Sequence, residues 1–159
     1  MKRLTLAAIM LLTALGMMAE KKCIVVYFSA TGTTAKLAKE IAKDKDAALW
    51  EIVPAEPYTD ADLDWRNKQS RSSLEMADPE ERPMIKMCTN IMPYEEVYLG
   101  FPIWWGICPR IIDSWLENNV EMLEGKPIHL FCTSGGSGID GAVTYLKKGY
   151  PSLKFDIKK

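Results

Sequence analysis

The apolar run Ile24-Val25-Val26-Tyr27-Phe28 passes into a hydroxyl-rich turn, Ser29-Ala30-Thr31-Gly32-Thr33-Thr34, and then into the helical pattern Lys36-Leu37-Ala38-Lys39-Glu40-Ile41-Ala42. A strand that ends in hydroxyls and a glycine and then opens a helix constrains both fold and chemistry. The helix start carries backbone N–H groups with no intrahelical partner and a partial positive charge, so it favours an anion. Gly32 permits a tight bend. Ser29, Thr31, Thr33 and Thr34 can each donate a hydrogen bond to a phosphate oxygen. No lysine lies inside the loop, so the G-x-x-x-x-G-K-[ST] pattern of nucleotide hydrolases is absent. The dinucleotide fingerprint G-x-G-x-x-G is absent as well. Two readings remain: a neutral phosphate clamp, and an ordinary capped helix after a strand.

Two later segments repeat the order of apolar run followed by a special loop. Val97-Tyr98-Leu99-Gly100 leads into Phe101-Pro102-Ile103-Trp104-Trp105-Gly106, and Ile128-His129-Leu130-Phe131-Cys132 leads into Thr133-Ser134-Gly135-Gly136-Ser137-Gly138. One loop offers hydroxyls for phosphate, one offers aromatics for a flat ring, and one offers glycines for close backbone approach. In an open parallel sheet, ligands bind beyond the carboxyl ends of the strands, where the strand order reverses. Three such loops at one sheet edge describe a site for an aromatic phosphate ester.

In this order the three loops resemble those of the flavodoxin family, in its short, single-domain form. The stretch Pro54-Ala55-Glu56-Pro57-Tyr58-Thr59 with Trp65, and then Arg82-Pro83, is also similar to that family's segment between its second and third strands. The resemblance runs roughly from Lys22 to Phe155. It implies an α/β fold, an open doubly wound parallel sheet of about five strands in the order 2-1-3-4-5. It also implies FMN as cofactor, bound by Ser29, Ala30, Thr31, Gly32, Thr33 and Thr34 at the phosphate, by Pro102, Ile103, Trp104, Trp105 and Gly106 at the ring, and by Ser134, Gly135, Gly136 and Gly138 at the pyrimidine edge. One of Trp104 and Trp105 would stack on the isoalloxazine. Gly106 would allow a backbone flip that turns a carbonyl toward flavin N5. Trp65 and Arg71 either approach the flavin edge or pack on the surface. No catalytic side chain and no metal ligand is expected, because the chemistry belongs to the flavin.

Three functions follow from the resemblance. The first is a one-electron carrier working through the FMN semiquinone, with a redox protein or a small-molecule electron donor or acceptor as partner. The second is an FMN-dependent NAD(P)H:quinone-type reductase. The third is a truncated flavodoxin-fold protein without bound cofactor, since the family's final helix is missing after the last strand-like segment. The absence of a second nucleotide fingerprint favours the carrier. The net charge of only −1 is weakly acidic for a dedicated carrier and favours the reductase slightly.

At 159 residues the chain suits one domain with a sizeable core. No basic stripe points to nucleic acid. Lys2-Arg3 followed by the largely apolar Leu4–Met18 reads as a secretory signal peptide over residues 1–19, with the binding domain at 20–159. The apolar stretch is short for a transmembrane helix of about 20 residues, so no stable span is expected after leader removal. A genuine leader would place the protein in the periplasm. A true start at Met17 or Met18 would place it in the cytoplasm. Of four cysteines, Cys23 and Cys132 fall at opposite ends of two strand-like runs, and Cys88 and Cys108 either pair or stay as thiols. The single histidine, His129, sits in an apolar strand pattern that suits core or strand-end packing better than catalysis.

Periodicity predicts strands at Cys23–Phe28, Ala47–Val53, Glu96–Gly100 and Pro127–Cys132, with a half-exposed strand where Leu153, Phe155 and Ile157 alternate with charged residues. Helices are expected after Ser29–Thr34, over Asp60–Ala77 with sparse apolar positions, after Pro109, and over Ile139–Lys148. In the helix after Pro109, Ile111, Ile112, Trp115, Leu116 and Val120 form one face, with Asp113, Glu117 and Asn118 on the other.

Overall fold

The computed structural model describes residues 21–157, so the leader assignment lies outside the described residues. Five strands form one sheet: β1 (Cys23–Tyr27), β2 (Ala48–Glu51), β3 (Glu96–Pro102), β4 (Pro127–Thr133) and β5 (Lys154–Ile157). Four helices connect or follow them: α1 (Thr33–Asp44), α2 (Arg71–Ala77), α3 (Arg110–Leu123) and α4 (Asp140–Gly149). The strand order is β2-β1-β3-β4-β5 and every pairing is parallel. This is the flavodoxin-like doubly wound sheet, with its switch point between β1 and β3.

The inner strands β1, β3 and β4 read as near-continuous apolar runs because the sheet is covered there on both faces, whereas the edge strands β2 and β5 alternate and are more exposed. On one face Ile24, Val26, Phe28, Leu99 and Leu130 join Ile111, Ile112, Trp115 and Leu116 of α3 and Ala142 and Leu146 of α4. On the other, Val25, Tyr27 and Tyr98 pack on Ala38 and Ala42 of α1. Small residues on α1 let that helix lie close to the strands. On the same face a Cβ at Gly100 would stand 2.0 Å from Phe131 Cζ. The Phe131 ring therefore lies directly across β3, in the space that a side chain at position 100 would fill.

His129 is 6% exposed, as its apolar setting predicts. Its Nδ1 lies 2.5 Å from Asp156 Oδ1 and its Nε2 2.8 Å from Glu96 Oε2. One imidazole thus links β3, β4 and β5 through side chains. The four cysteines form no disulfide; Cys88 is exposed and Cys108 is buried. Among the described residues no helix is long and apolar enough to cross a membrane.

Two local expectations need correction. The helix expected over Asp60–Ala77 is confined to α2, capped by Ser70, whose side chain accepts from the Ser73 amide. The preceding residues form successive turns. Asp62 accepts from the Thr59 amide, Asp64 from the Arg66 amide, and Asn67 from the Gln69 amide. Asp and Asn side chains offer the backbone an alternative to helical bonds, and here they prevail. The second correction is Asp113, expected on the polar face of α3 but only 1% exposed. It accepts hydrogen bonds from the hydroxyls of Tyr145 (2.9 Å) and Tyr150 (2.8 Å). Buried Arg110 donates to the same Tyr145 hydroxyl at 2.7 Å and to the Met76 carbonyl at 3.2 Å. Burial pushes the Asp113 carboxyl above its ordinary range, against the pull of both tyrosine hydrogen bonds and of Arg82 and Arg110. Burial likewise pushes the Tyr145 hydroxyl up to about 12.

Candidate functional site

The loop after β1 is shaped by its own side chains. Ser29 Oγ accepts from the amides of Gly32 and Ala35, each at 3.1 Å. Gly32 adopts φ 89°, a left-handed conformation that glycine takes without a Cβ penalty. The Lys36 amide already bonds the Gly32 carbonyl at 3.1 Å. The Thr33 and Thr34 amides, which begin α1, have no carbonyl one turn earlier to bond. The first turn of α1 holds no acidic residue, whereas those of α3 and α4 hold Asp113 and Asp140. The positive end of the α1 dipole is therefore not neutralised by its own side chains.

The four hydroxyls of this loop fall into different settings. Thr31 and Thr33 are exposed, with their hydroxyls 3.3 Å apart. Ser29 is turned to the loop amides. Thr34 is 1% exposed, and its hydroxyl lies 2.7 Å from that of Thr133, the last residue of β4.

After β3 the chain makes a short hairpin. The Trp104 amide donates to the Ile107 carbonyl (2.9 Å) and the Ile107 amide to the Trp104 carbonyl (3.1 Å). The two residues between them, Trp105 and Gly106, have φ of 49° and 82°. This is the sign pattern of a type I′ turn. The two indoles differ sharply. Trp104 meets Phe28 and Tyr58 edge-on, with centroids 5.8 and 5.6 Å away. Trp105 is 54% exposed. Behind Trp104, the Arg71 guanidinium lies 4.0 Å from the Tyr58 ring centroid, and the Tyr58 hydroxyl donates to Glu75 Oε2 at 2.6 Å. Burial and that carboxylate push the Tyr58 hydroxyl well above its ordinary range. Arg71 is thus committed to the support of the aromatic cluster, through Tyr58, Glu75 and the Glu56 carbonyl.

The third loop closes on itself. Ser134 Oγ accepts from the amides of Gly136 (3.1 Å) and Ser137 (2.7 Å).

A cavity of about 370 Å³ lies between the first two of these loops, within the size range of small-molecule sites, roughly 300–1,000 Å³. Ala30, Thr31 and Thr34 form one wall, and Pro102, Ile103, Trp104 and Trp105 another. Ser29, Gly32 and Thr33 adjoin the first wall in sequence, and Gly106 the second. Ser134, Gly135, Gly136 and Gly138 belong to the neighbouring loop and are not part of the wall. The remaining wall residues are Thr133, Leu63, Ser72 and Trp65. Thr133 ends a strand at the ligand-binding edge, and that rule alone points to it. Leu63 comes from the polar connection between β2 and α2, and Ser72 from the first turn of α2; no motif marks either. Trp65, 70% exposed, sits on the rim. Among the described residues no cluster suits a metal ion.

A hydroxyl corner with free helix-start amides, opening onto a wall of indole and aliphatic side chains, fits the two halves of FMN, an anionic phosphate and a flat aromatic ring. The comparisons agree on fold and family. No curated protein matches the sequence. A protein from Bacteroides eggerthii assigned as a flavoprotein is 49% identical over 86% of this chain and 85% of its own, with a TM-score of 0.83. A second, from Bacteroides uniformis, is 44% identical over 86% of both chains, with a TM-score of 0.80. A flavoprotein from Lactobacillus acidophilus, solved in complex with FMN, shares the fold with a TM-score of 0.71 at 23% identity, over 85% of this chain and 89% of its own. The family model described as Flavodoxin matches residues 22–159, and the chain belongs to the flavodoxin family.

Proposed function

We propose that the chain binds FMN, with the phosphate at the start of α1 and the isoalloxazine against the Trp104–Ile107 hairpin, and serves as a one-electron carrier. One observation carries the cofactor assignment. The uncompensated N-terminus of α1, with its Thr33 and Thr34 amides and the Thr31 and Thr33 hydroxyls, opens beside the same cavity as Trp104 and Trp105. The FMN complex of the Lactobacillus acidophilus flavoprotein, a relative in fold, supports it.

Bound FMN supplies reversible uptake of one or two electrons. The chain's residues supply position and surroundings. Thr31, Thr33 and the two amides hold the phosphate and fix the ring's depth in the cavity. Trp105 covers one face of the ring, and Pro102, Ile103 and Trp104 keep water from its edge. An apolar, poorly solvated wall disfavours added negative charge on the ring and lowers its potential. Titration calorimetry with FMN and riboflavin tests the assignment. FMN should bind more tightly, and Thr31→Ala/Thr33→Ala should remove about 1–3 kcal/mol per lost charge-assisted bond from FMN alone. Equal affinity for both ligands in the wild-type protein overturns the phosphate assignment.

The absence of a second nucleotide fingerprint supports the carrier. The small net charge of −1 favours the alternative, an FMN-dependent NAD(P)H:quinone-type reductase. Steady-state oxidation of NADH or NADPH by the FMN-loaded protein with a quinone acceptor separates them: turnover establishes the reductase, while two resolved one-electron steps in a potentiometric titration without turnover establish the carrier. We also propose export, on the basic start and apolar stretch of residues 1–19. N-terminal sequencing of protein from the native cell decides it, and an intact Met1 removes the claim.

A further inference from the structure

Gly141 is the second residue of α4, inside an element where glycine is disfavoured against nearly every other residue. The contact it makes explains it. A Cβ at position 141 would stand 2.3 Å from the Gly106 carbonyl oxygen and 3.5 Å from the Gly106 carbonyl carbon. Backbone thus rests directly on backbone, with no room for a methyl group, whose comfortable distance to its neighbours is about 3.5–4.0 Å. The contact falls at the tip of the hairpin that faces the cavity. The same tip holds Trp105, a bulky residue at φ 49°, a conformation that persists only where the surroundings over-determine it. The paired Trp104 and Ile107 amides supply part of that constraint.

We propose that Gly141 is a positioning residue for the flavin ring: by lacking a side chain it lets the Gly106 carbonyl seat on the first turn of α4, which holds the hairpin tip and presents the Trp105 indole to the cavity. The inference rests on the FMN reading for its ligand, but the contact itself does not. Gly149, at the far end of the same helix, has nothing within 4 Å of its Cβ position. It is the internal control for changes in helix propensity.

Gly141→Ala and Gly149→Ala are compared with the wild-type protein in two ways. The first is amide hydrogen exchange without ligand. In Gly141→Ala the Trp104 and Ile107 amides should exchange at least tenfold faster, while those of Val97 and Leu99 in β3 keep their rates and Gly149→Ala changes nothing. Unchanged hairpin exchange, or an acceleration shared equally by β3, overturns the proposal. The second is titration with FMN and riboflavin. Gly141→Ala should weaken both by the same factor, at least fivefold, because the ring contact changes and the phosphate contact does not. The quenching of bound-flavin emission should be partly relieved, which a general loss of stability would not produce. Unchanged affinity and quenching overturn the ring-positioning role. If the wild-type protein binds neither flavin, the FMN reading falls and takes the ring-positioning role with it, while the exchange data still show whether Gly141 holds the hairpin.

Discussion

The hydroxyls of Thr34 and Thr133 lie 2.7 Å apart and join the start of α1 to the last residue of β4. Both residues line the cavity, so this bond sets the spacing between the helix start and the strand end that frame it. Thr34→Val leaves the Thr133 hydroxyl without this partner and should cost about 1–3 kcal/mol. Replacing both residues by valine should cost less than the two single changes together, because no polar group is then left behind. Urea denaturation of the four proteins measures the cycle. Additive losses would mean that the two hydroxyls do not depend on each other.

Trp104 and Trp105 should separate cleanly. Trp104→Ala empties a cluster with Phe28 and Tyr58 and should cost roughly 2–4 kcal/mol of stability, somewhat below a fully buried tryptophan. Trp105→Ala should leave the stability of the ligand-free protein within about 0.5 kcal/mol. It should weaken flavin binding by about 1–3 kcal/mol, by analogy with base–aromatic stacking, and raise the flavin's reduction potential. Thermal melts and flavin titrations read both effects. A reversed pattern would make Trp104 the stacking residue.

Gly100→Ala drives a methyl group into the Phe131 ring, 2.0 Å from Cζ, and should cost roughly 1–3 kcal/mol. In a Phe131→Leu background the same change should cost clearly less, since the smaller side chain vacates that space. Denaturant midpoints of the four combinations test it. An equal cost in both backgrounds would place the damage in the strand backbone.

Asp113 gives a pH dependence with a defined sign. Its carboxyl is raised from an ordinary value of 3.8 by burial, which outweighs the tyrosine hydrogen bonds. The folded state therefore holds this proton more tightly than the unfolded chain. Its contribution to stability is full below the unfolded value and is lost as pH rises toward the raised folded value. Asn at this position does not titrate. The stability of the wild-type protein minus that of Asp113→Asn should fall as pH rises through this window and then level off. Urea unfolding from about pH 3 to about pH 7 measures the difference. A difference that grows with pH would mean that the tyrosine hydroxyls and the two arginines outweigh burial.

The inner strands were legible because burial on both faces writes unbroken apolar runs, as in Ile24–Phe28, and a loop of distinctive composition follows each of β1, β3 and β4. The hydroxyl turn was legible because it sits between a strand and a helix that define its direction. What escaped the sequence depends on groups distant along the chain. Asp113 looks like an exposed helical acid until Tyr145 and Tyr150, 32 and 37 residues on, donate to it. Leu63 reaches the cavity from a connection whose Asp and Asn side chains turn the backbone repeatedly, and such turns have no period to read; those turns also set where the short helix carrying Ser72 begins. The division of labour between the two indoles is equally silent in the dipeptide Trp-Trp. It is set by a two-residue turn that sends one ring toward Phe28 and leaves the other outside.

The two hydrogen bonds that Ser29 Oγ accepts from the Gly32 and Ala35 amides have a kinetic consequence. The loop after β1 takes its shape from its own chain, so the entropy of ordering it is lost during folding and is not charged again to each encounter. Flavin capture then needs little rearrangement at the phosphate end, and its on-rate should stay close to that of a diffusing pair meeting in the right orientation. Changes to the exposed Thr31 and Thr33 hydroxyls should consequently appear as shorter residence times, with association almost untouched. Loss of the Ser29 hydroxyl should slow association itself, because the loop would then have to be ordered while the ligand arrives.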